Sequence, residues 1–190
     1  PDATNTKNAS EQITMARMET AQKRFLEEQK SKILVKTKTQ ERNAISQSPN
    51  FHHKEIDWLY SIGLDIGEEK INTILSLPKD TLIQDLELIL NDSINRYSYF
   101  EQYFHEIDWD DGKINFVIHA LSLLAELKST NSANSIYFIL SQSKEYLELF
   151  IGDIITEVIW EVLYETSANN LEATKEFMFQ SGVETFARSA

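Results

Sequence analysis

Ile114-Asn115-Phe116-Val117-Ile118-His119-Ala120-Leu121-Ser122-Leu123-Leu124-Ala125-Glu126-Leu127 contains neither glycine nor proline and is apolar on two sides of a helix. At helical spacing, Ile114, Val117, Ile118, Leu121, Leu124 and Ala125 share one face, and Phe116, Ala120, Leu123 and Leu127 share a second. A helix apolar on both sides needs cover on both sides, as the inner member of a helical stack has. A weaker echo follows. Val117-Ile118-His119-Ala120-Leu121 aligns with Val158-Ile159-Trp160-Glu161-Val162, and Phe138-Ile139-Leu140 with Phe177-Met178-Phe179. The spacing is near 40 residues, two helices per copy, which is the period of HEAT-like repeats. The expected fold is therefore all-α, a HEAT-like α-α repeat stack forming a right-handed superhelix, with an N-terminal helical arm.

The rest of the chain agrees in composition. Five glycines and three prolines in 190 residues fall well below ordinary usage of about 7% and 5%. That leaves little material for hairpin turns and nearly excludes an all-β fold. Beyond residue 50, glycine and proline fall between periodic segments, where they end and begin helices. The pattern predicts helices over 53–62, 67–76, 79–91, 93–106, 114–128, 132–142, 144–150, 153–166, 169–180 and 183–188. With no cysteine, disulfides, thiolate metal sites and cysteine nucleophiles are ruled out. No apolar run approaches a membrane span and no signal peptide opens the chain, so the expectation is a cytoplasmic protein with no membrane contact.

Charge divides the chain into two parts. Residues 1–50 hold nine basic and six acidic residues, a net of +3, and residues 51–190 hold nine basic and 24 acidic, a net of −15. Residues 1–49 read as a polar, basic arm, helical or partly disordered, and 50–190 as an acidic helical-repeat domain. The arm's helix formers run from Ser10 to Ser46. Its sparse apolar residues sustain no heptad seam.

Three runs resemble an uncharacterised bacterial family of HEAT-like helical proteins: Leu77-Pro78-Lys79-Asp80-Thr81-Leu82-Ile83-Gln84-Asp85-Leu86-Glu87, Ile118 to Leu127, and Phe150-Ile151-Gly152-Asp153-Ile154-Ile155-Thr156-Glu157. The resemblance spans roughly residues 70–190, and its most specific part is Gly-Asp-x-x-Thr-Glu. Some members end in a SEC-C zinc-binding tail, whose cysteines this chain lacks. The family has no assigned activity, so the resemblance implies a fold and not a reaction.

Several constellations invite a chemical reading. Asn115, His119, Ser122 and Glu126 form a polar line on the apolar helix, and Asp153, Glu157, Glu161 and Tyr164 form another one repeat later. Stacking would bring His119 near Asp153 or Glu157. Such a pair fits a register-fixing hydrogen bond, a ligand groove, or acid–base or metal chemistry. Helical spacing also allows His53 and Asp57 to share a face. The Asp-rich run His105–Gly112 fails the calcium-loop spacing, because Lys113 stands where a glycine is required. Ile94, Tyr97, Phe100 and Phe104 read as core, with Tyr99 and Tyr103 beside them as potential partner anchors. No phosphate loop, nucleophile elbow or His-Glu-x-x-His run is present.

The expected function is a non-catalytic protein-interaction module that binds a basic protein partner without a cofactor. Its groove would be formed by His119, Glu126, Asp153, Glu157, Glu161 and Tyr164. Two other classes stand behind it: a metal- or small-ligand-dependent enzyme centred on His119, Asp153 and Glu157, and a nucleic-acid or polyanion binder acting through the arm. The acidic body itself would repel phosphate.

Overall fold

A computed structural model describes residues 47–103, 111–168, 171–180 and 182–183, together with Lys23, Glu27 and Lys30. The chain divides into two compact units, Pro1–Gln47 and Ser48–Ala190. In the first, Lys23, Glu27 and Lys30 are helical and exposed. The remainder of the expected arm helix, most of the Asp-rich run at 105–112, the side chain of Tyr103 and the expected helix from residue 184 onward lie outside the described residues.

The second unit is all-α, with no strand among the described residues. A 3-10 helix, Lys54–Tyr60, leads into α1 (Glu68–Leu75) and the long α2 (Lys79–Tyr103). After the turn 111–113 come α3 (Phe116–Glu126), α4 (Ala133–Leu140), α5 (Lys144–Phe150), α6 (Ile155–Ser167) and α7 (Leu171–Phe179). Helix α3 packs between α2 and α6, α4 packs against α2, α6 and α7, and α5 rests on α2. The two apolar faces of α3 are covered as its sequence requires. Phe116, Val117, Ala120, Leu121 and Leu124 are all buried, in one core shared with Leu82, Leu86 and Ile89 of α2.

One boundary differs from the sequence reading. The break expected between 91 and 93 does not exist, and α2 runs through it for 25 residues. Asn91, Asp92 and Ser93 are weak helix formers but not breakers, and local partners absorb their polar groups. The Ser93 hydroxyl donates to the Leu90 carbonyl at 2.5 Å and meets the Tyr146 hydroxyl of α5. Asp92 accepts from Tyr60 Oη at 2.7 Å and from Arg96 Nε at 2.5 Å. The Arg96 guanidinium lies 4.8 Å over the Tyr60 ring. Burial and the Asp92 carboxylate together push the Tyr60 hydroxyl well above the ordinary tyrosine range.

Helix ends use the chemistry expected of them. Ser143 caps α5 by accepting from the Tyr146 backbone N–H at 3.2 Å. Gly67 enters α1 at φ 80°, a conformation suited to glycine, and donates to Asp65 Oδ1 at 2.9 Å. Helix α3 ends in paired bonds, Ser129 N–H to the Leu124 carbonyl at 3.0 Å and Lys128 N–H to Ala125 at 2.8 Å. This is a Schellman closure, with Lys128 at φ 50° where glycine is usual. The left-handed conformation costs a lysine about 1–2 kcal/mol. Its ion pair with Glu165, at 3.1 Å and largely exposed, returns no more than about 1 kcal/mol. Thermal unfolding is therefore expected to show Lys128→Gly at or slightly above the parent's stability. Lys128→Ala, which keeps the strain and loses the pair, is expected to fall below it. Lys128→Gly falling below the parent would show that the ion pair outweighs the strain.

Candidate functional site

The polar line on α3 is divided by its surroundings. Its first half, Asn115 and His119, is buried, and its second half, Ser122 and Glu126, is exposed. His119 Nε2 donates to the Gly63 carbonyl at 3.0 Å, which anchors the segment after the 3-10 helix onto α3. For His119 the described residues show this bond to Gly63, and no bond to Glu157 among them. The side chain of Asp153 lies outside the described residues.

Burial pushes the His119 pKa below its ordinary value, and the carbonyl bond only partly offsets this. The neutral ring is thus the form that fits the fold. The unfolded chain takes up the proton first as pH falls through about 6.5. Stability is then full above that pH and declines below it, toward the lower folded pKa. The expected result is a melting temperature that drops on acidification below about pH 6.5, and drops less in His119→Gln. Equal slopes for the two proteins in this range would remove His119 as the cause.

The structure does bring together Glu126 of α3 and Glu161 of α6. They line a groove of about 400 Å³ between these helices, with Ser122, Val158 and Glu165. Glu157 and Glu161 are exposed on α6, while Ile159 and Val162 point into the core. Helix α6 carries no lysine or arginine, so its carboxylates at 157, 161 and 165 form one acidic line at i, i+4, i+8.

Beside that line runs an apolar one. Trp160 is 52% exposed, Tyr164 73%, and across from them on α7 Leu171 is 71% and Met178 46% exposed. These four side chains, with Leu163 and Phe177, line an open groove of about 890 Å³ between α6 and α7. At one side the Tyr137 hydroxyl of α4 bonds Ser167 at 2.7 Å and Thr174 at 2.6 Å. The Tyr137 ring stacks on Phe177 at 5.0 Å. Lys128 and Glu165 line both grooves, so their ion pair marks the divide.

Tyr164 was expected in a polar groove with His119, and it stands instead among aromatic and aliphatic neighbours. The apolar groove was missed in the sequence. Its one available signal was Trp160 and Tyr164 at i, i+4, outside the stripe that fills the core. The His53 and Asp57 reading is also replaced by other partners. His53 Nε2 meets Thr81 Oγ1 at 2.8 Å, and Asp57 accepts from the Ser48 hydroxyl.

Among the described residues, no group of three or more His, Asp and Glu side chains is placed to hold a metal ion. No described helix is long and apolar enough to cross a membrane. No family model, curated protein or solved structure matches the chain.

Proposed function

We propose that residues 48–190 form a protein-interaction module whose binding surface is the outer face of α6 with the adjoining end of α3. The observation that carries this reading is the acidic line Glu157, Glu161 and Glu165, faced by Glu126 and bordered by exposed Trp160 and Tyr164. Tryptophan and tyrosine are the usual anchors of interfaces, and here both stand exposed one turn apart on one helix. The carboxylates outnumber Lys128 on this surface and supply a net negative field that draws in a basic partner and fixes its orientation.

A HEAT-like arrangement accounts for the surface. Helix α3 packs on α6 and α4 packs on α7, so the helices that the sequence echo equates lie against one another. Stacked pairs of this kind present one helix of each pair along a continuous face. The sequence echo between the two pairs supports the same reading.

The test uses the full chain and its double variant Glu126→Lys/Glu161→Lys, as baits in parallel with quantitative recovery of bound proteins. A basic partner retained by the parent at moderate salt and lost by the variant supports the reading. Equal recovery by both baits, or none by either, overturns it.

A further inference from the structure

We infer that the groove between α6 and α7 seats the apolar edge of a basic amphipathic helix from a partner protein. This rests on the interaction reading above and names the partner's chemistry. The surface has two parallel stripes on one helix. Trp160 and Tyr164 face the apolar groove, and Glu157, Glu161 and Glu165 run alongside them. A ligand that satisfies both stripes at once has an apolar stripe flanked by cations, which is the pattern of an amphipathic helix with lysine or arginine beside its apolar face.

The two helices flanking the groove supply its shape. Two roughly adjacent helices with exposed Leu171 and Met178 opposite Trp160 leave a trough into which side chains at i, i+3, i+4 and i+7 of a third helix can fall. The local charge selects the sign of that helix. Lys128 pairs with Glu165 and Lys175 with Glu172, each at 3.1 Å, so these four charges cancel and Glu126, Glu157 and Glu161 set the sign of the surface.

A second copy of this chain is a poor occupant. In a two-fold contact the same patch meets itself, which would bring two copies of Glu126, Glu157 and Glu161 into one interface. Like charges across an interface oppose association.

The experiment is fluorescence anisotropy with the full chain and a fluorescein-labelled 18-residue peptide made only of leucine and lysine, its leucines at helical spacing. A scrambled peptide of the same composition keeps the charge and loses the stripe. The proteins compared are the parent, Trp160→Ala/Tyr164→Ala and Glu126→Lys/Glu161→Lys. Since the replaced side chains are exposed, circular dichroism should show all three equally folded.

The expected result is binding of the helical peptide that weakens about tenfold or more on scrambling, and by a similar factor in each variant. Equal binding of both peptides, with loss only on charge reversal, would overturn the groove as the seat and leave the acidic surface intact. Loss only in the alanine pair would overturn the basic character of the partner. No binding tighter than about 100 µM by either peptide would overturn both readings. A dimer in sedimentation that Trp160→Glu disperses would assign the groove to a second copy and overturn the proposal.

Discussion

Phe116→Ala is expected to cost about 3–5 kcal/mol, the range for removing a buried aromatic side chain from a packed core. Phe116 is fully buried. Its ring stacks on Tyr60 at 4.5 Å and meets Phe150 edge-on at 5.6 Å and Phe100 at 6.3 Å. Those three residues belong to the 3-10 helix, α5 and α2, so this one side chain joins elements distant in sequence. The vacated space is bounded by other rings, themselves in contact at 6.0 Å for Phe100 and Phe150, and collapses poorly. Against a total stability of about 5–15 kcal/mol, the loss brings the domain close to unfolding. Urea denaturation measures it, with Phe116→Leu as a milder control expected to cost less than the alanine variant. A cost under about 1 kcal/mol for the alanine variant would mean the ring cluster is not the core described here.

Asp85→Ala is expected to cost about 3 kcal/mol, through a different mechanism. The Asp85 side chain is fully buried on α2. Its carboxylate accepts the backbone N–H of His52 at 2.9 Å, the backbone N–H of His53 at 3.0 Å, and His52 Nδ1 at 2.8 Å. Alanine leaves two part-buried backbone donors without this acceptor, at up to about 1–3 kcal/mol each before relaxation toward water. The segment these bonds hold leads directly into the 3-10 helix that places Ile56 and Leu59 in the core. Asp85→Asn keeps one acceptor oxygen and should lose about half as much. Limited proteolysis near residues 48–53 gives an independent readout. Unchanged cleavage there in Asp85→Ala would argue that other contacts hold the segment.

The parts of this structure legible in the sequence are those governed by local periodicity. Helix α3 could be read from its own residues, because two apolar faces at helical spacing permit few arrangements. The span of α5 was likewise legible between Gln142-Ser143 and Gly152, with a serine cap and an apolar interior. What was not legible depends on contacts between distant residues. Asp85 looks like an ordinary polar position on a helix until the backbone of residues 52–53 is laid over it. His119 sat in a polar line with Glu126 by spacing alone, yet the chain at Gly63 covers one end of that line and leaves the other in water. The nearness of Glu126 and Glu161 was not legible either, since the repeat offset sets Ala120, not Glu126, opposite Glu161. Trp160 and Tyr164 were harder, because an aromatic pair on a helix is usually core, and only the position of α7 shows that they face open space.

Helix α7 is joined to the rest chiefly through α4, by the Tyr137 ring on Phe177 and the Tyr137 hydroxyl on Thr174. Helix α3, by contrast, is enclosed between α2 and α6. Separating α7 therefore exposes far less apolar surface than separating α3, and the two helices should open at different free energies. Amide hydrogen exchange in α7 is expected to run ahead of that in α3, with Tyr137→Phe accelerating α7 and leaving α3 unchanged. Because α7 forms one wall of the groove, the same partial opening sets how wide that groove stands at any moment. A ligand wedged against α7 would then register as slowed exchange on a helix it only partly touches.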